Sequence, residues 1–434
     1  MRRRTFINFL LIIVLTFGFS WTYAQTPPPP QAQTEDNYFL NFEELVKVVK
    51  EVKDKYVDEV TLKDLLHNAF RGILEGLDPY SQYIGPEELE ELRIETEGEF
   101  GGLGIEVIVK DGILTVITPI IGSPAFNSGV LIGDKILKIE DESTENISIR
   151  SAIKRLRGKP GSEVTITVLH EGDTAPVDIT IERAIIHVKS VRGARIVDED
   201  NKIGYFALTS FQENTLQEMD TAVKELLDKG MSALIIDLRF NPGGLLDTAV
   251  AVADRFIKEG VIVSTKGREE SQNVIYMAKG KDTYPDFPLI ALVNNGSASA
   301  SEIVAGAIKD HKRGLLLGLK TFGKGSVQSL IPIEEGKSAL KLTTAKYYTP
   351  SGASIHELGI EPDIKVELAL AEVKALHEHL SRVNVGDIRN NGGNQQPQKD
   401  GEDAEKTKFV DAQLERAVNV MKGIQIYSKQ FKAG

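Results

Sequence analysis

Hydrophobic positions along this chain change period four times. Phe6 to Phe19 is almost wholly apolar. Residues 25–37 are rich in proline and polar side chains, cannot assemble a core, and read as an extended linker. From about residue 38 the helical period takes over: Phe42, Leu45, Val46, Val49, Val52 and Tyr56 share one face. Leu62, Leu65, Leu66, Ala69, Phe70, Ile73, Leu74 and Leu77 repeat the stripe, opened by Thr61 with Asp64 three residues on and stopped by Asp78-Pro79. Such stripes are packing surfaces, for the chain's own core or for a second subunit.

Residues 98–184 read as a small mixed β domain. Short alternating runs (104–109, 113–117, 135–139, 164–169 and 177–181) are broken by turn residues, with one helical stretch near 147–157. From 185 to 370 the pattern is α/β. Buried-strand runs at 233–238 and 289–294 each lead into a helical stretch, 246–257 and 300–310, and 314–319 and 340–348 add strands. The expected architecture is a largely buried sheet with helical cover. A C-terminal region at 371–434 contains a polar linker, 383–407, and a last amphipathic helix, 408–425, with Phe409, Val410, Leu414, Ala417, Val418, Met421 and Ile424 on its stripe.

Composition narrows the function. The formal net charge of −12 gives no electrostatic case for nucleic acid or an anionic membrane surface as partner. Arg2 to Arg4, the apolar run and Ala24 together read as a secretory signal over 1–24. An uncleaved membrane anchor is the competing reading, and it is the only membrane association the chain suggests. With no cysteine there is no disulfide and no thiol nucleophile, and the seven histidines show no metal-ligand spacing, so neither metal nor organic cofactor is expected.

Three segments carry candidate chemistry. Asn294-Asn295-Gly296-Ser297-Ala298-Ser299-Ala300-Ser301-Glu302 joins a strand to a helix, where a hydroxyl meets the positive end of the helix dipole and free N–H groups. Ser299 with Glu302 also fits a capping box, and three serines in five residues leave the nucleophile unassigned. Lys324 lies between Gly323 and Gly325 in apolar surroundings. A lysine base must lose about three pK units from roughly 10.4, about 4 kcal/mol of desolvation, a cost tolerated only for function. Against that stands the ordinary reading, a solvated surface charge. Asp237-Leu238-Arg239-Phe240-Asn241-Pro242-Gly243-Gly244 leaves a strand through a turn able to present N–H groups, as an oxyanion hole or as a plain helix start. A Ser–His–Asp triad through His311 or His356 is not excluded, although no GxSxG elbow is present. At the head of the β domain, Gly101-Gly102-Leu103-Gly104-Ile105 is either a plain glycine turn or a carboxylate-binding loop with a receiving strand.

Taken together these motifs resemble a known family. GGLGIEV, SPAFNSGVLIGDKILKIED and RGKPGSEVTITV are similar to a bacterial PDZ domain. GLDPYSQY, DLRFNPGGLL, NNGSASASEIVAGAIKDH, GLKTFGKGSVQ and AKYYTPSGASIHELGIEPD, in that order over residues 40–370, resemble the carboxyl-terminal processing peptidases, Ser–Lys proteases with a PDZ domain. PDZ-bearing trypsin-like proteases have the opposite domain order and a different serine motif.

The resemblance implies a multidomain α+β chain: an N-terminal helical region (38–97), a PDZ domain (98–184), an α/β core of the crotonase/Clp-protease kind (185–370) and a C-terminal helix. It implies Ser299 as nucleophile, Lys324 as general base and Gln328 as its orienting partner. The N–H groups of Gly243 and Ala300 fall on the oxyanion hole, and Leu103, Gly104 and Ile105 on the tail-binding loop. Strand 340–348 is expected to pair with the substrate backbone. Phe240 departs from the family, which usually has glycine there. The implied function is an exported, periplasmic or extracytoplasmic endopeptidase that cleaves near apolar carboxyl-terminal tails, with self-association through the helical ends. A PDZ scaffold that binds tails without cutting them is the alternative. Gating by the PDZ module, with Arg157 reaching the catalytic residues, is a further expectation, set against Arg157 as a surface charge.

Overall fold

The computed structural model describes residues 38–390 and 409–431, so the expected signal segment at 1–24 and the linker at 25–37 lie outside the described residues. The chain divides into two compact units, one ending at Phe70 and the other beginning at Arg71. In the first, the predicted stripes form helix Tyr38–Lys55 and the start of helix Leu62–Glu75. Thr61 Oγ1 caps the latter, accepting the Asp64 N–H at 3.1 Å. Phe42, Val46, Val52, Tyr56 and Leu66 on these stripes are exposed.

In the second unit, helix Pro86–Glu97 falls within the helical region expected over 38–97, although no stripe marked its bounds. Its dozen residues carry six glutamates and no apolar stripe, and only Pro86 at the first turn and Gly98 at its end signal it. The β domain follows its alternation. Strands Ile105–Lys110, Ile113–Pro119, Lys135–Ile139, Glu163–Leu169 and Val177–Glu182 form one antiparallel sheet in that order. Val164, Ile166 and Val168 point into the core while the threonines between them do not. Helix Ile149–Leu156, capped by Ser148, closes that core with Ala152 and Leu156. Strands Glu99–Gly102 and Ala184–His187 pair antiparallel, so the chain enters and leaves the module through one two-stranded neck.

The catalytic half is built on a six-stranded sheet, Val191–Asp198, Ile203–Leu208, Ala233–Asp237, Leu289–Val293, Leu315–Gly318 and Ile364–Lys365 in spatial order, parallel except for the first pair. Both faces are buried, which is why its central strands read as continuous apolar runs. Leu234, Ile236, Ala291 and Val293 pack beneath helices Thr215–Asp228, Leu246–Asp254 and Ala300–Asp310. Ala233, Ile235, Ile290 and Leu292 meet Ala417 and Met421 of the last helix, Ala412–Phe431. Each of the leucine, isoleucine, valine and methionine side chains among them contributes about 1.5–3 kcal/mol on burial. Beside this sheet, strand Ser338–Tyr348 gathers Gln82–Ile84, Val261–Gly267 and Ser326–Ile333, with Ile275–Met277 beyond. The linker expected from 383 begins later. Helix Leu370–Asn390 runs eight residues into it, through Gly386, because no proline interrupts residues 383–390.

Candidate active site

Strand Leu289–Val293 hands the chain to helix Ala300–Asp310 through a turn whose polar groups are almost all committed. Asn294 Oδ1 accepts the N–H groups of Phe240 and Gly296, both at 2.9 Å. Ser297 Oγ accepts the Asn294 N–H and donates to Leu238 O at 2.7 Å, and Ser301 Oγ donates to Asn241 O at 3.0 Å. Ser297 and Ser301 are fully buried in these structural roles. Ser299 is different: it is 8% exposed, its hydroxyl donates to no described residue, and its backbone sits at φ +55°, ψ −112°. A serine held in that region costs about 1–3 kcal/mol and persists only where its surroundings over-determine it, as at a strained strand-to-helix nucleophile turn. Geometry thus separates three serines that composition cannot.

The capping box expected of Ser299 and Glu302 is formed, yet Glu302 does more than cap. Its carboxylate is fully buried. Oε2 accepts the N–H groups of Ser299 and Lys324, both at 2.9 Å, and Oε1 accepts the Gly323 N–H at 2.7 Å and the Thr321 hydroxyl at 2.5 Å. Burial pushes the Glu302 carboxyl up, while these four donors pull it back down. One side chain therefore ties the serine loop to the lysine loop. Sequence reading saw only the cap, because the other three donors come from 19 to 22 residues away.

Lys324 is half-buried, and among the described residues its ammonium makes no ion pair. Burial holds its pKa below the ordinary lysine value, repulsion from Lys341 adds to that, and Glu302 opposes it. Behind it, Gly325 lies so close to the next loop that a Cβ there would stand 2.1 Å from the His356 N. The Lys324 Nζ faces the Tyr80 ring, 5.3 Å from its centroid. The expected partner Gln328 is turned elsewhere, donating to Ser326 Oγ at 2.8 Å and more weakly to Thr343 Oγ1 at 3.4 Å. No hydrogen bond joins Ser299 to Lys324 among the described residues.

The glycine turn packs directly on the serine. Gly243 has φ +108°, and a Cβ on it would stand 2.9 Å from Ser299 Cβ and 3.0 Å from Ala300 N. The Ala300 N–H, first in its helix, is free to receive an oxyanion, whereas the Gly243 N–H donates to Asn241 Oδ1 at 2.9 Å. Phe240 adopts φ +59°, which accounts for the family's preference for glycine there. Its N–H bond to Asn294 and the edge of its ring against His377, 5.0 Å between centroids, hold it. Arg239 is fully buried, forked onto Asp237 and onto Asp411, which lies just before the last helix. No local sequence signal marks this pair, since the partners are 172 residues apart.

The histidines do not complete a triad. His311 caps the far end of the helix that Ser299 begins, about 18 Å away at 1.5 Å per residue, and bonds Val261 O. His356 lies behind the lysine loop with Nδ1 buried and unpartnered. Strand Ser338–Tyr348 is not free along its length. Ser326–Ile333 occupies one edge, and Gln82–Ile84 and Val261–Gly267 take both ends of the other, leaving only 342–344. Pairing of a substrate backbone along 340–348 is therefore closed in this arrangement.

In the β domain, Gly102 to Val107, Phe100, Ile117, Ile153, Leu156 and Arg157 line a groove of about 340 Å³. The N–H groups of Leu103 and Gly104 make no hydrogen bond among the described residues, and Ile105 begins the receiving strand. Arg157 lies over the Phe100 ring at 4.4 Å, inside the groove rather than on Ser299 or Lys324. Among the described residues no group of three or more acidic or histidine side chains is placed to hold a metal, and no helix is long and apolar enough to cross a membrane.

Comparison with known proteins adds two kinds of likeness, to family profiles and to related proteases. The profile of peptidase family S41 matches residues 202–366, and that of the PDZ domain matches 101–181. A carboxy-terminal-processing protease of Bartonella bacilliformis is 43% identical over 342 residues, covering 78% of each chain. The carboxy-terminal processing protease CtpA of Bacillus subtilis is 35% identical, over 75% of this chain and 69% of that one. A carboxyl-terminal-processing protease of Synechocystis is 36% identical, over 74% and 75%.

Proposed function

This chain belongs to peptidase family S41, as a serine-type carboxy-terminal processing protease with a PDZ domain, and from that premise we propose that Ser299 is its nucleophile and Lys324 its general base. The observation that carries the assignment is the strained backbone of Ser299, whose hydroxyl has no acceptor while its two neighbouring serines are spent on structure. Neutral Lys324 takes the Ser299 proton, Oγ attacks the scissile carbonyl, and the oxyanion settles on the N–H of Ala300. Lys324 returns the proton to the leaving amine as the C–N bond breaks, and water then hydrolyses the acyl-enzyme.

Two groups must move for this chemistry. The Gly243 N–H has to leave Asn241 to join the oxyanion hole, and Gln328 has to leave Ser326 to orient Lys324. We therefore read the arrangement as a resting one. Gln328 is neutral, so it can direct the amine without stabilising the ammonium as a carboxylate does. The PDZ groove, with Leu103, Ile105, Val107 and Leu156 for an apolar side chain and the Leu103 and Gly104 N–H groups for a carboxylate, suits substrate tails ending in an apolar residue. Export follows from the reading of residues 1–24 as a signal.

The test is reaction with a fluorophosphonate probe and turnover of a protein with an apolar tail. Ser299→Ala is expected to lose labelling altogether, and Lys324→Ala to lose at least about a thousandfold in acylation. Near-wild-type turnover in either variant sinks the dyad. Labelling at a serine other than Ser299 moves the site, and no labelling of the wild-type chain revives the tail-binding scaffold.

A further inference from the structure

The segment GLDPYSQY has no role in the mechanism above, yet it stands against the base. Asp78 builds the turn: Oδ1 accepts the N–H groups of Tyr80 and Ser81 at 2.8 and 2.9 Å, and Oδ2 accepts the Ser81 hydroxyl at 2.7 Å. The same two residues fasten the turn to strand Ser338–Tyr348. Thr343 Oγ1 donates to Asp78 Oδ1 and the Thr343 N–H to Ser81 Oγ, each at 3.1 Å. Strand Gln82–Ile84 then pairs with residues 339–341. Fastened at both ends, Tyr80 is presented with its ring 5.3 Å from Lys324 Nζ. Thr343 is also the weaker of the two acceptors of the Gln328 amide. One turn thus meets the base directly and its expected orienting partner through a single hydroxyl.

We propose that Tyr80, held by the Asp78–Ser81 turn, is a positioning residue for Lys324. The inference rests on Lys324 being the base. A ring face attracts an ammonium at this distance more than it attracts a neutral amine. Tyr80 therefore holds the protonated lysine in place and gives it up as the amine deprotonates and turns to Ser299. Its bulk also keeps water from the amine, and its hydroxyl is not required for either effect. Burial and Lys341 favour the neutral amine, and Glu302 and the ring oppose them, so the opposing influences leave the base poised rather than permanently charged or uncharged.

The experiment is the pH profile of acylation by a fluorophosphonate probe, with thermal unfolding measured in parallel. Tyr80→Leu keeps apolar bulk and removes the ring face. Its rising limb is expected about half a pH unit lower, from the lost cation–π contact, with a plateau about tenfold down. Tyr80→Phe restores both limb and plateau to within about twofold, since the face is back. A plateau that falls only with the folded fraction while the limb stays put would overturn the proposal, as would failure of Tyr80→Phe to restore either one. If Tyr80→Leu does not fold, Tyr80→Met supplies the same comparison. Lys324→Ala separates the two readings: full acylation in that variant removes the base itself, whereas an inert Lys324→Ala beside an unshifted Tyr80→Leu removes Tyr80 alone.

Discussion

The serine loop and the lysine loop leave neighbouring parallel strands of one sheet, Leu289–Val293 and Leu315–Gly318, and they are finished in opposite ways. In the serine loop Asn294, Ser297 and Ser301 are buried and hydrogen-bonded, and the strain collects on Ser299. In the lysine loop Glu302 holds the Thr321 hydroxyl and the backbone at Gly323 and Lys324, while the Lys324 side chain rests on Tyr80 and Gln328 on Ser326. The proposed nucleophile is preset by its backbone, and the proposed base rests on side chains that can rotate. In the proposed mechanism the lysine side asks only for rotations of Lys324 and Gln328, whereas the serine side asks for release of the Gly243 N–H from Asn241.

That contrast can be broken most severely at the glycine turn. Gly243→Ala places a methyl group 2.9 Å from Ser299 Cβ at a φ that side chains resist, and it disturbs one side of the oxyanion hole. Acylation is expected to fall by about a hundredfold or more. Labelling at the wild-type rate would mean that the turn does not bear on the serine. A smaller loss is expected at the tie between the loops. Glu302→Gln keeps the shape but turns an NH2 toward N–H groups that need an acceptor, which should cost about 2 kcal/mol in denaturant unfolding. It should also slow acylation beyond what the lost stability explains. A change in stability alone would make Glu302 a structural residue only.

The smallest effect probes the adjustable side. Lys341 repels the Lys324 ammonium and so helps keep its pKa low. Removing that charge in Lys341→Gln makes the ammonium easier to keep, raises the pKa of Lys324, and moves the rising limb of the pH–rate profile a few tenths of a unit to higher pH. A shift to lower pH, or none, would assign the control of Lys324 to burial alone.

Much of the framework was legible because its signals are local. The PDZ strands begin and end within two residues of where the pattern places them, and helix Ala300–Asp310 begins and ends where the pattern places it. The bounds of helix Pro86–Glu97, inside the helical region expected over 38–97, escaped because a charged helix without a stripe offers only its end signals. The buried Arg239–Asp411 pair escaped because its halves lie far apart in the chain. Within the site, Glu302 was visible as a cap and invisible as a hub. Phe240 was visible as a departure, but its positive φ and its contact with His377 were not.

What the amino-acid sequence by itself determined is the list of parts and their order: a PDZ module ahead of an S41 core, with serine, lysine and glycine turns each at a strand end. Periodicity and turn chemistry act over a few residues, so they survive reading one residue at a time. The tertiary structure alone decided which of three serines is strained and free, which carboxylate binds both loops, and that Lys324 and Gln328 rest on Tyr80 and Ser326 instead of on each other. Each of those depends on the packing of strands and loops drawn from across the chain, where a hydrogen bond or a ring face a few ångströms away outweighs any local preference.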